Sequence, residues 1–262
     1  MVTARLGVMQ MSKYTTNELM AVTASRMIED GQNIVVGLGL PQVASLLAKN
    51  SHAPNMNIIY EIGVVNPESV DTGVGIADPR LWYRCDYFTS FVGSLGNILH
   101  RGLVDVGFLG GLQLDKYGNI NSTGVYQGEC FRHINGSGGA ADIASYSKNI
   151  FAIAKHEKRK IVELVDFITT VGYLKGGASR EDAGLPKCND IKVITNLCVI
   201  GFDDEFKEMQ VLSIHPGVTK EQVVENTGFD IKFSDNLKET DIPSDEEIYL
   251  LRNVIDPKKL YI

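Results

Sequence analysis

Glu61 stands near the end of the apolar run Asn57-Ile58-Ile59-Tyr60-Glu61-Ile62-Gly63-Val64-Val65, among the residue types that build buried parallel strands. An unpaired carboxylate inside such a strand is costly, so the residue needs a reason. Two readings compete. It is either a core carboxylate satisfied by a hidden partner, or a nucleophile or base exposed where the strand opens into a cleft. For an isolated glutamate the first is the commoner. Gly63 shifts the balance, because glycine lets a backbone or ligand approach the strand end closely, and open α/β sheets bind ligands at the carboxyl ends of their strands. A second group, Gly136-Ser137-Gly138-Gly139-Ala140, can aim successive backbone N–H groups at one point, as an oxyanion or phosphate requires. Alone it is as readily a tight turn. Beside a strand-end glutamate it suggests acyl chemistry, in which the carboxylate attacks a carbonyl and the amides hold the developing oxyanion.

Other chemistry-bearing residues carry less. His156, in His156-Glu157-Lys158-Arg159, has the type of a base, but a charged stretch after a strand is more often a solvated turn. Lys175 and Arg180 have the charge to meet a phosphate or carboxylate, with surface charge the default reading. Tyr60 and Trp82 read as packing residues. Cys85, Cys130, Cys188 and Cys198 lie far apart without CxxC spacing, which fits reduced thiols better than a zinc site or a disulfide framework. No metal is expected.

The elements that must position these residues follow from hydrophobic pattern and turn chemistry. Thr15-Thr16-Asn17-Glu18 has capping-box spacing, and Met20, Ala24, Met27 and Ile28 recur on one face, predicting a helix to about Asp30. Asn33 to Val36 reads as a buried strand running into Gly37-Leu38-Gly39-Leu40-Pro41, whose proline suits the start of a helix over about Gln42 to Lys49. This turn lacks the third glycine of a dinucleotide fingerprint. The Glu61 strand then completes a strand, helix, strand unit. Further strands are expected over 105–111, 149–154 and 161–170, and antiparallel ones over 191–195, 198–202 and 208–214 around an Asp203-Asp204 turn. The glycine loop leads into a short helix, another helix covers about Lys220 to Asn226, and a charged tail closes the chain. Residues 1–13 show no clear pattern and read as an N-terminal extension, with one domain over 14–262.

The chain has 262 residues, 44% apolar and 22% charged, enough to fold without staples. A net charge of −7 and the lack of a dense Lys/Arg block argue against nucleic acid as a partner. No apolar stretch approaches membrane-spanning length and no signal-peptide core is evident, so a cytoplasmic protein is expected.

The ordered series Tyr14-Thr15-Thr16-Asn17-Glu18-Leu19-Met20-Ala21-Val22, Val36-Gly37-Leu38-Gly39-Leu40-Pro41, Ile58-Ile59-Tyr60-Glu61-Ile62-Gly63 and Asp115-Lys116-Tyr117-Gly118-Asn119-Ile120-Asn121-Ser122-Thr123 resembles the B (beta) subunit of glutaconate CoA-transferase, a family I CoA-transferase. Gly136-Ser137-Gly138-Gly139-Ala140, His156-Glu157-Lys158-Arg159, Gly184-Leu185-Pro186 and Val224-Glu225-Asn226-Thr227-Gly228-Phe229-Asp230 continue the series to the C-terminal part of the chain. The resemblance implies an α/β fold with an open, mostly parallel sheet flanked by helices. It also implies an A (alpha) subunit as partner, acyl-CoA and a carboxylic acid as substrates, and no cofactor beyond coenzyme A as substrate. Glu61 aligns with the family's nucleophile, and Gly138 and Gly139 are placed by position as its oxyanion or CoA contacts. Related proteins on this fold have left transferase chemistry. In a decarboxylase subunit cysteine replaces the glutamate, and the B subunit of a ring-cleaving hydrolase lacks it. Keeping Glu61 argues against both, and against a non-catalytic subunit. Val64-Val65-Asn66-Pro67-Glu68-Ser69 departs from the glutaconate pattern and leaves the acid open.

Overall fold

The computed structural model describes residues 14–68, 72–75 and 78–262, so the expected N-terminal extension lies outside the described residues. The strands, in chain order, are β1 (Asn33–Val35), β2 (Asn57–Tyr60), β3 (Val64–Val65), β4 (Tyr87–Phe88), β5 (Val106–Leu109), β6 (Gln113–Asp115), β7 (Ile120–Asn121) and β8 (Gly124–Gln127). They continue as β9 (Cys130–His133), β10 (Asn149–Ala154), β11 (Ile161–Val162), β12 (Asp190–Thr195), β13 (Cys198–Phe202), β14 (Met209–Ile214) and β15 (Lys232–Glu239). The α-helices are α1 (Thr16–Ser25), α2 (Leu40–Lys49), α3 (Ala140–Tyr146), α4 (Ser179–Asp182), α5 (Lys220–Glu225) and α6 (Asp245–Leu250).

The large sheet runs in the order β15-β14-β13-β12-β10-β5-β1-β2-β3-β4. Its centre is parallel, with Ile34 of β1 opposite both Ile58 of β2 and Val106 of β5, and Asn149 of β10 opposite Val106 and Asp190. The wings are largely antiparallel, through β12-β13-β14 on one side and β2-β3-β4 on the other. Side chains alternate between two cores, as the pleat requires. Ile34, Val36, Ile58, Tyr60, Phe108 and Phe151 pack under α1 and α2, whereas Val35, Ile59, Leu109, Ile150 and Ala152 pack with Ile143 and Ala144 of α3. Both faces are covered, which is why these strands read as unbroken apolar runs. Among the described residues no helix is long and apolar enough to cross a membrane.

Four expectations are corrected. The predicted first helix stops at Ser25 rather than Asp30. Arg26 is drawn off to Glu247 and to the carbonyls of Asp241 and Ile242, and Ile28 is buried from a turn instead. Its start is as predicted, a capping box between Thr15 and Glu18. The apolar run at 57–65 is not one parallel strand: it folds back after Tyr60, and β3 pairs antiparallel with β2. Of the stretch at 161–170 only Ile161–Val162 is a strand. The charged tail is built, with β15 as an edge strand, α6, and a π-helical turn at Leu251–Ile255 that packs against α2. Glu18 of α1 forms an ion pair with Arg252 of that turn at 2.5 Å, which fastens α1 to the C-terminal segment. Charge on an exposed edge strand hides its alternation from a sequence reading.

Candidate active site

The sheet order reverses between β5 and β1: from β1 the chain passes through α2 to β2 on one side, while β5 and then β10 lie on the other. Such a switch point leaves a crevice beyond the carboxyl ends of the strands. Here a cleft of ≈ 320 Å³ is lined by Val36 and Gly37 after β1, Phe108, Leu109 and Gly110 at the end of β5, Glu61 after β2, and the loop from Asn135 to Gly138.

Glu61 occupies the turn between β2 and β3 and is half-buried rather than buried in a strand. The turn is held tightly. The Gly63 amide donates to the Tyr60 carbonyl at 2.8 Å, and the Thr89 amide donates to the Gly63 carbonyl at 2.8 Å. Gly63 has φ +102°, and a Cβ there would collide with the Thr89 carbonyl, so only glycine fits. Tyr60 is a packing residue as expected: it is fully buried, accepts from Gln42 Nε2 at 3.1 Å, and burial pushes its phenol up to about 12.

The glycine loop joins β9 to α3. Its entry is fixed by the Ile134 and Asn135 amides, which both donate to the Thr123 carbonyl, and its exit by the Ile143 amide donating to Gly139. Between these anchors, Gly138 and Gly139 lie against the Glu61 carboxylate. A Cβ at Gly139 would fall 2.8 Å from Oε2, and one at Gly138, whose φ is +52°, would fall 3.9 Å from Oε1. Glu61 and the loop are 75 or more residues apart in sequence and meet only because β2 and α3 flank the same crevice. A π-helical segment, Val92–Leu99, which neither pattern nor motif in the sequence marks, packs against both. Its Ser94 hydroxyl contacts the Glu61 carbonyl at 2.5 Å, and its Leu95 side chain lies where a Gly139 Cβ would be 3.0 Å away.

The other candidates do not join the cleft. His156 is no solvated turn residue. It is buried, with Nδ1 3.1 Å from Thr195 Oγ1 and Nε2 2.9 Å from Thr227 Oγ1, and burial lowers its pKa to about 4. Arg180 is not surface charge. It is fully buried and donates five hydrogen bonds, all to main-chain carbonyls, those of Pro186, Val171, Gly172, Ala144 and Ser145. Lys175 is exposed, as expected. The four cysteines are free, and burial pushes the Cys188 and Cys198 thiols up to about 11 and about 12. Trp82 corrects the packing expectation: it is 43% exposed, its ring centroid 5.7 Å from that of Phe88, in an exposed apolar stretch with Tyr83, Tyr87, Phe91 and Val92. The two-stranded arm β8–β9 and the segments beside it expose Tyr126, Phe131, Ile134 and Phe167.

A family model described as Coenzyme A transferase matches residues 17–226. The chain is 39% identical over 244 residues to the B subunit of 3-oxoadipate CoA-transferase from Pseudomonas knackmussii, covering 92% of this chain and 94% of that one. It is 36% identical over 262 residues to the B subunit of glutaconate CoA-transferase from Acidaminococcus fermentans, covering 96% of each. The crystal structure of glutaconate coenzyme A-transferase from that organism superposes with a TM-score of 0.89 at 34% identity, over 95% of this chain and 98% of that one. The protein belongs to the coenzyme A transferase family, and its likeness is to the B-type subunits.

Proposed function

We propose that the chain is the B subunit of a heteromeric CoA-transferase in which Glu61 is the covalent nucleophile. The observation that carries the reading is the Glu61 carboxylate at the switch-point crevice, facing Gly138 and Gly139. In the first step the carboxylate attacks the acyl-CoA carbonyl, giving a mixed anhydride and CoA thiolate. The thiolate then attacks the glutamyl carbonyl, forming a glutamyl-CoA thioester and releasing the first acid. An acceptor carboxylate reverses both steps, and Glu61 leaves as the free carboxylate. Gly138 and Gly139 allow the approach of the acyl oxygen to main-chain amides, where developing negative charge is held without reorganisation. Every step is carried by carboxylate and thiolate, so the proposal includes no metal or organic cofactor.

The acid is assigned to the short dicarboxylates with acetate or a similar acid as exchange partner, since the relatives are named for 3-oxoadipate and glutaconate. The partner is an A-type subunit. Apolar side chains stand exposed on the segments that lead in sequence to Ser94 and to the glycine loop, Phe88 at 59% and Val92 at 73% on the first, Tyr126 at 58% on the second, and exposed apolar groups of this kind suit a docking surface. The four unpaired cysteines suit the cytoplasm.

The test uses the chain co-expressed with its A-type partner and a panel of acyl-CoA donors with labelled acetate. Glu61→Gln keeps volume and removes the attacking oxyanion. The expected result is a folded complex without turnover, and borohydride with acyl-CoA present and no acceptor inactivates only the wild type, modifying the peptide spanning Asn57 to Val65. Substantial transfer by a folded Glu61→Gln complex refutes the nucleophile. Release of free CoA without any need for an acceptor acid would move the assignment to a hydrolase.

A further inference from the structure

We propose that Ser94 is a positioning residue for the Glu61 nucleophile, and that the π-helical segment carrying it is the bracket that sets the gap between Glu61 and the glycine loop. The inference rests on the reading of Glu61 given above.

Ser94 is buried, 1% exposed, and its hydroxyl has one proton to donate. Two carbonyls are within reach, Glu61 at 2.5 Å and Phe91 at 3.2 Å, and the shorter contact takes it. No other hydrogen bond to the Glu61 carbonyl is formed among the described residues. The Ser94 hydroxyl therefore fixes the peptide unit from which the reactive side chain projects. Gly63 and Thr89 fix the turn on its far side, so Glu61 is clamped from both ends.

The next residue does the complementary task. Leu95 packs against Gly139, and at the end of the segment His100 places Nε2 3.0 Å from Asp142 Oδ1 and stacks on Tyr146, the ring centroids 3.9 Å apart. Asp142 and Tyr146 both belong to α3, which the glycine loop opens. One stretch of seven residues, 94 to 100, thus touches the Glu61 backbone and the glycine loop at one end and that loop's helix at the other. The π geometry serves this: hydrogen bonds such as His100 amide to Leu95 carbonyl, 3.1 Å, span five residues, so consecutive side chains diverge less in angle than in an α-helix. Ser94 and Leu95 can then both face the site. A close approach is also built in, because a Cβ at Gly93 would collide with the Thr89 side chain.

The experiment compares Ser94→Ala with Ser45→Ala in the co-expressed complex, using the best donor and acceptor of the panel described above. Ser45 is as deeply buried and its hydroxyl bonds the Pro41 carbonyl at 3.0 Å within α2, so it reports the structural cost of losing such a group. Ser94→Ala is expected to lower kcat about 10- to 100-fold, the cost of misplacing a reacting group by up to an ångström. KM for acyl-CoA stays within about two-fold, because binding surfaces are untouched. Borohydride inactivation slows by the same factor as kcat. A kcat within about two-fold of wild type, a loss that Ser45→Ala matches, or a Ser94→Ala chain that fails to fold overturns the inference, the last by showing a purely structural role. Glu61→Gln separates the two claims: if it is inactive and Ser94→Ala is fully active, only the positioning role falls, whereas an active Glu61→Gln complex removes the nucleophile itself.

Discussion

Replacing Gly139 by alanine places a single methyl group between the glycine loop and Glu61, the proposed nucleophile. Gly139 has φ −81° and ψ 2°, in the bridge region at negative φ that alanine can occupy, so no left-handed strain arises. The new Cβ would lie 2.8 Å from Glu61 Oε2 and 3.0 Å from Leu95 Cδ1. Ordinary contact requires roughly 3.5 Å, so the carboxylate must retreat by about 0.7 Å. Oε2 is the far end of a flexible side chain, and the retreat costs about 0.5–1.5 kcal/mol in rotamer strain. The fold survives. The rate does not, because a displacement approaching 1 Å at a reacting group costs up to about 10²-fold. Gly138→Ala should behave in the opposite sense. Its φ of +52° puts alanine in the left-handed region at about 1–2 kcal/mol, while its Cβ clears Oε1 at 3.9 Å. Urea melts and kcat measured on both variants of the complex give the comparison. Gly139→Ala should sit near wild type in stability and far below it in rate, with Gly138→Ala the less impaired in rate. A fully active Gly139→Ala complex, or one destabilised by more than about 3 kcal/mol, would refute the reasoning, the second by showing that the contact is rigid packing and not an adjustable carboxylate.

Arg180→Met leaves five main-chain carbonyls without their donors, and a loss of about 3–5 kcal/mol is expected by chemical denaturation. Arg180→Lys should lose less, since an ammonium offers three donors without the fork, and a cost under about 1 kcal/mol for the methionine variant would show the clamp to be idle. Acid should destabilise the protein before its ordinary carboxylates titrate. His156 is held neutral to about pH 4 against an ordinary 6.5, and burial depresses His215 as well, so the unfolded chain takes up protons that the folded chain refuses. Stability is complete above the ordinary value and falls as pH drops from there toward 4, by about 3 kcal/mol for His156 if its full depression is realised. Melts of wild type and His156→Gln between pH 7.5 and 4.5 check this, and parallel slopes for the two proteins would remove His156 as the source.

Much of the architecture was legible because its signals are local. The capping box at Thr15 and Glu18, the proline after Gly39, the apolar runs of β1, β5 and β10, and the antiparallel strands about Asp203 each announce themselves within a few residues. What escaped was set by distant partners. Arg180 and His156 read as surface groups because charge and polarity are the only local facts. What buries them is non-local, carbonyls from Ala144 to Pro186 around one and hydroxyls of Thr195 and Thr227 around the other. The hairpin at Glu61 was hidden for a related reason. Val64 and Val65 extend the β-rich pattern, and the chain turns only because Gly63 takes φ +102° under the Thr89 backbone.

That turn changes the physical meaning of Glu61. Within a buried strand the carboxylate would need a compensating cation or would surrender its charge. At the head of a hairpin it is half-buried, presented from a rigid backbone while the carboxylate itself faces the crevice. The cost of order is then carried by main chain and glycine, through Gly63, Thr89 and the Ser94 hydroxyl, and among the described residues the carboxylate has no hydrogen-bonded side-chain partner that it would have to displace in its proposed role. In its proposed role as a nucleophile that forms and breaks an acyl bond twice in each cycle, Glu61 would need this separation. Tight hydrogen bonds to its oxygens would stabilise the resting carboxylate and slow attack, whereas restraint of its backbone lowers the entropic cost of attack. The glycine loop opposite is consistent with the same economy, being fixed at Thr123 and at Ile143 and bare of side chains at the two residues that meet the carboxylate.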